Sequence, residues 1–161
     1  MTAEPHAEEA EVRLPATVAA LVDGTDLRRK VGHTISLVAT GDDGWPRLAL
    51  LSVGEVLGTS GTGIALALHA GSATTAALTG SGRALLTTVL DSTHYKIRVT
   101  VRRVGPDGGP LALFRGRVTR VDEDRVAYAE LVSGTTYRLT DPDPVLERWS
   151  RQLDRLREVF P

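Results

Sequence analysis

The sequence predicts a mainly β protein, a closed or nearly closed antiparallel barrel with flanking helices. Three observations carry that prediction. Six strand-like segments follow one another at hairpin spacing, and one short helical segment interrupts them between the third and the fourth. The chain then ends on an amphipathic stretch with helical period. At 161 residues, a single domain over 14–161 accommodates all of them, preceded by an acidic leader over 1–13.

Residues 14–22 open the ordered part as a short helix, with Pro15 in the first turn and Gly24 beyond its end. The first strand, 33–40, places Ile35, Leu37 and Ala39 on one face. Asp43-Gly44 supplies the tight reversal into a second strand over 47–56. Gly58, Gly61 and Gly63 punctuate the next turn. They do not form a dinucleotide loop, because a strand (64–68) follows them rather than a helix. Ser72 then caps a short helix that Gly80 terminates. Strands resume at 83–90, 94–104 and 111–121. In the second of these, Ile97, Val99 and Val101 alternate with Arg98, Thr100 and Arg102, as a half-buried strand requires. Residues 124–132 read as a modest helix. The last helix spans 143–160, with Pro144 at its first position, Leu146, Trp149, Leu153, Leu156 and Phe160 on one stripe, and Glu147 and Arg151 spaced as an ion pair on another. That stripe suits the protein's own barrel or a dimer contact equally.

Composition excludes several chemistries. There is no cysteine, which removes disulfides, thiolate metal sites and a cysteine nucleophile. His33, His69 and His94 fall on separate segments without a close-spaced ligand pair, so no metal site is expected. No G-x-S-x-G elbow is present, and the acids cluster in the leader and turns rather than as a catalytic pair. No apolar run is long enough to span a membrane, and the start lacks signal-peptide character, so a cytoplasmic protein is expected. The net charge of −1 conceals an acidic front (Glu4, Glu8, Glu9, Glu11) and a basic stretch over 96–120 with seven bases and one acid. Few aromatics accompany those bases, which disfavours nucleic acid as the partner.

The segment with most chemical promise is His69-Ala70-Gly71-Ser72-Ala73-Thr74-Thr75. A strand end, a glycine turn and a hydroxyl-rich helix start present free backbone N–H groups, the positive end of the helix dipole and hydroxyl donors. That combination suits a phosphate. The same residues also read as an ordinary Ser-capped helix. Arg47, at the start of the second strand, is placed to reach the same anion if that strand pairs beside the third.

The succession Thr40-Gly41-Asp42-Asp43-Gly44-Trp45-Pro46-Arg47 (T-x-D-x-G-x-P-R), an apolar strand, a glycine turn and Ser72-Ala73-Thr74-Thr75-Ala76-Ala77-Leu78 (S-x-T/K-x-x-x-L) resembles the pyridoxamine 5′-phosphate oxidase-like FMN-binding split-barrel superfamily over residues 30–121. The resemblance implies a six-stranded antiparallel Greek-key barrel and a homodimer holding two FMN molecules in clefts between subunits. It assigns Arg47 and Ser52 to the flavin phosphate and ribityl chain, and Ser72, Thr74 and Thr75 to the helix-start phosphate positions. Lys96 and Arg98 on the fifth strand would sit near the flavin across the interface, and His69, beside the phosphate turn, reads either as a flavin neighbour or as a satisfied core or interface histidine. Where Thr74 stands the family commonly has a basic residue, and near Ser52 a lysine. The substrate-phosphate motifs of true pyridoxamine phosphate oxidases have no counterpart in 145–161. The implied function is a flavin-dependent oxidoreductase acting on a small molecule. The alternatives are a non-catalytic or regulatory barrel, or a member binding the deazaflavin F420.

Overall fold

The computed structural model of the protein describes residues 10–59 and 61–160. Most of the acidic leader, including Glu4, Glu8 and Glu9, lies outside the described residues. Residues 10–13 run without regular structure, and Val12 packs against the core.

Pro15 precedes α1 (Ala16–Leu21), which buries Val18 and Leu21, and a single 3-10 turn follows at Leu27–Lys30. β1 (Ile35–Thr40) and β2 (Pro46–Leu51) form the expected hairpin. Its turn is closed by a Gly44 N–H bond to the Gly41 carbonyl at 2.9 Å, with Gly44 at φ +78°, a conformation glycine adopts without strain.

The expected second strand does not run through to residue 56. It ends at Leu51, and β3 (Val56–Gly58) begins after a four-residue turn, so the described residues hold seven strands where six were expected. The turn is stabilised from within. Ser52 donates from its backbone N–H (2.6 Å) and its hydroxyl (3.1 Å) to the Glu55 carboxylate, and the Glu55 N–H returns to the Ser52 carbonyl at 3.2 Å. Period-2 reading of the apolar run could not detect this, because the carboxylate that closes the turn occupies a position that also continues the strand.

β4 (Gly63–His69), α2 (Ala73–Ser81), β5 (Arg83–Leu90), β6 (Thr93–Val104), β7 (Leu111–Asp124) and α3 (Pro142–Glu158) complete the chain. Strand order is β2-β1-β5-β6-β7-β4-β3, with every neighbouring pair antiparallel. The two edges, β2 and β3, are consecutive in sequence and joined by only four residues. The sheet therefore curls to bring its two edges to either end of one short turn, without pairing them, giving a half-barrel. Gly116 on β7 lets the sheet close tightly, since a Cβ there would stand 1.9 Å from the Thr100 carbonyl oxygen of β6. One bulge, with pairing shifted between Arg98 and Val99, leaves Thr119 as the extra residue.

The interior is aliphatic, as the composition requires: Leu37, Leu86, Ile97, Val99, Leu66 and Phe114 meet inside the curl. β4 is buried on both faces. Ala65 and Ala67 turn outward against Leu153 and Leu156 of α3, which settles the role of the amphipathic helix in favour of the protein's own barrel. The helix expected over 124–132 does not form. Pairing with β6 extends β7 through Asp124, and beyond it Val126, Tyr128 and Val132 are exposed with nothing packed on an apolar face.

Candidate functional site

α2 packs on β1 and β2, and α3 packs on β3 and β4. Between the two helices lies a cavity of about 730 Å³, within the size range of small-molecule sites. Its floor is apolar, from Ala49, Leu51, Ala67, Leu68 and Leu111. Its two helical walls are polar.

The first polar wall is the segment singled out above. His69 ends β4, and its Nδ1 accepts the Gly71 N–H at 3.3 Å, which tightens the turn. Ser72 is the N-cap of α2: its Oγ accepts the Thr75 N–H at 3.1 Å. The Ser72 hydroxyl donates to Thr75 Oγ1 (2.9 Å), and that hydroxyl donates to the His69 carbonyl (2.7 Å). Thr75 is thus fully engaged in holding the turn and does not line the cavity. Thr74 differs. It is 6% exposed, lines the cavity, and has no hydrogen-bond partner for its hydroxyl. Ser72→Ala is expected to lower stability by about 1 kcal/mol through loss of the cap, measured by urea denaturation; an unchanged midpoint would show that the turn does not depend on it.

The second wall was not foreseen. Arg148, Arg151, Gln152 and Arg155, at spacing i, i+3, i+4, i+7, bring one face of α3 to the cavity. The Glu147–Arg151 pair expected from spacing does not form, and Arg151 turns to the cavity instead. Glu55, from the turn that splits the second strand, stands beside Arg148 as the one carboxylate in the lining. Burial pushes its pKa above the ordinary 4.5, while the Ser52 bonds and the Arg148 charge pull the other way. Because the folded pKa exceeds the unfolded one, folding binds an extra proton, and stability falls as pH climbs from about 4.5 through the raised value. Glu55→Gln is therefore expected to raise the unfolding midpoint at pH 7 by a few degrees and to leave it unchanged at pH 4. Thermal melts at the two pH values measure this, and an equal loss at both would contradict it.

Of the residues expected to hold a cofactor, the cavity brings together His69, Ser72 and Thr74. Arg47 shares a strand face with the cavity residue Ala49, but its guanidinium turns back to Asp43 at 2.8 Å. Ser52 lines a smaller neighbouring cavity of about 370 Å³ behind Glu55. Lys96 and Arg98 lie on the outer face of the sheet, away from the cavity. Lys96 pairs with Asp124 at 2.6 Å, and Arg98 sits in register with Leu85. Among the described residues, no cluster of three or more metal-ligating side chains occurs, and no helix is long and apolar enough to cross a membrane.

No known protein-family model matches the chain. Solved structures share its fold at low identity. An F420 reductase aligns with 68% of this chain and 98% of its own at TM-score 0.50 and 10% identity. HupZ of Group A Streptococcus aligns with 74% of this chain and 97% of its own at TM-score 0.50 and 12% identity. The curled antiparallel half-barrel with α2 seated on β1 and β2 is the fold these structures share, and it agrees with the pyridoxamine 5′-phosphate oxidase-like split-barrel fold that the sequence resemblance implies. The chain belongs to the family of YclD of Bacillus subtilis (strain 168), an uncharacterised protein. It is 31% identical to YclD over 140 residues, 85% of this chain and 91% of that one.

Proposed function

We propose that the protein binds FMN in the cavity between α2 and α3 and acts, as a homodimer, as a flavin-dependent oxidoreductase on a small molecule. The observation that carries this reading is the Thr74 hydroxyl at the start of α2, which opens on the cavity without a hydrogen-bond partner in the chain, beside helix-opening N–H groups that have no intrahelical acceptor. Donors left open together in a cavity wall suit an anion, and a phosphate oxygen matches them. The basic residue absent at Thr74 has neutral donors in its place, the Thr74 hydroxyl and the N–H groups that open α2. The apolar floor suits a planar ring system.

In this reading, bound flavin supplies the hydride or electron chemistry. Thr74 and the α2 N–H groups hold its phosphate, with His69 beside them. Glu55 presents a carboxyl inside the cavity that burial biases toward holding a proton. Lys96 and Arg98, on the outer sheet face with the exposed Leu48 and Leu50, face a second copy of the chain and reach toward its cavity.

The absorption spectrum of the purified protein, followed by titration with FMN and with F420 in parallel, tests the reading. Bands near about 370 and 450 nm with saturation at micromolar FMN are expected. A colourless protein that FMN does not saturate overturns it, and saturation by F420 alone moves the assignment to the deazaflavin. Failure of a loaded protein to be reduced anaerobically by NADPH or NADH, or to be reoxidised by any acceptor, would leave a binding module rather than an enzyme.

A further inference from the structure

The charges of α3 are sorted by face. Asp143 meets Arg28 at 2.6 Å, and Asp154 meets Arg157 at 2.8 Å. On the cavity side, Arg148, Arg151 and Arg155 line the wall with no salt bridge among the described residues, although Glu147 is available at the right spacing for Arg151. Like charges one turn apart on a helix repel. Between them lies Gln152, 7% exposed as a residue, whose carboxamide reaches the cavity and has no hydrogen-bond partner in the chain. An amide held in a cavity wall by the packing of its stem, with its donors and acceptor unused, points to a ligand that engages them.

These groups stand on the wall opposite Thr74 and the α2 N-terminus, with the apolar floor between. One phosphate at α2 leaves them unanswered. Arg148 has Glu55 beside it. Arg151 and Arg155 form no salt bridge with any described acid, and two guanidinium forks flanking an amide N–H form a donor set for a carboxylate or phosphate. The concave, partly apolar cavity selects a small molecule over a polyanion.

We propose that the α3 wall is a second anion subsite, in which Arg151, Gln152 and Arg155 receive the carboxylate or phosphate of an acidic small molecule bound beside the cofactor. This rests on the flavin reading for the word "beside", and the subsite itself is testable without it.

The probe is inorganic phosphate, added to the full chain in phosphate-free buffer with and without saturating FMN, with the thermal midpoint as readout. Phosphate is expected to raise the midpoint of the FMN-loaded protein. The shift is expected to vanish in Arg151→Gln/Arg155→Gln and to fall by at least about half in Gln152→Leu. Flavin fluorescence titration is expected to give FMN affinity within about threefold of wild type for the arginine variant, and loss of about tenfold or more for Ser72→Ala/Thr74→Val. An arginine variant that keeps the phosphate response overturns the subsite. So does one that loses FMN about tenfold, which would mean that these arginines hold the cofactor's own phosphate. If wild-type protein fails to bind FMN, the flavin reading falls alone. An arginine-dependent phosphate shift in the cofactor-free chain then upholds the subsite, and its absence overturns it.

Discussion

Trp149→Ala is expected to lower stability by about 3–5 kcal/mol, the largest effect of any single truncation on α3. The indole is 3% exposed and lies directly on Gly54, so close that a Cβ at residue 54 would stand 2.1 Å from Trp149 Cγ. That contact fastens α3 to the turn between β2 and β3, which links the sheet's two edges. Gly54→Val should act from the other side: the added carbons have no room, and α3 must lift or the turn must shift, at about 1–3 kcal/mol or more. Both variants displace the helix that carries the arginine wall, so ligand affinity should fall with stability. Urea denaturation and ligand titration on the same preparations measure the two effects. A Trp149→Ala protein of near wild-type midpoint would show that α3 is fastened elsewhere. A Gly54→Val protein with intact stability would show that the contact relaxes freely.

Leu48→Asp/Leu50→Asp is expected to convert the proposed homodimer to a monomer. Leu48 and Leu50 are 64% and 54% exposed on the outer face of an edge strand, flanked by Trp45 at 71%. Across the sheet, Leu48 pairs with Val38, and Val38 pairs in turn with Leu85, which extends the apolar strip over three strands. A strip of this kind marks an interaction surface. Lys96 and Arg98 border it on β6, so in the proposed homodimer this surface would carry these cations toward the partner's cavity. Sedimentation velocity at micromolar concentration is expected to give wild-type protein at twice 17.2 kDa and the variant at 17.2 kDa. Loss of FMN affinity should accompany the change. A monomeric wild-type protein would overturn the homodimer, and a variant that still dimerises would place the interface elsewhere.

Much of the fold was legible in the sequence. The β1–β2 hairpin followed from Asp43-Gly44 between alternating segments, and α2 from Ser72 as a cap. The alternation of Ile97, Val99 and Val101 with Arg98, Thr100 and Arg102 gave the two faces of β6 correctly. Of the cavity, the wall from His69 to Thr74 was legible, because strand end, glycine and hydroxyl-rich helix start are adjacent in the chain. Thr75 was read as a ligand residue, yet its hydroxyl is used inside the turn, a choice between two local acceptors that composition does not reveal.

The β class, the hairpin and glycine turns other than the one over 52–55, and the amphipathic stripe of α3 are readable along the chain, since each depends on residues within a few positions of one another. What those elements meet depends on residues far apart in the chain. Residue 54 has no room for a side chain because Trp149, ninety-five positions away, occupies that space. The arginines of α3 became a wall rather than a solvated face because Leu153 and Leu156 seat the helix on Ala65 and Ala67. Helical periodicity states which residues share a face. What stands opposite that face is set by the packing of the chain as a whole.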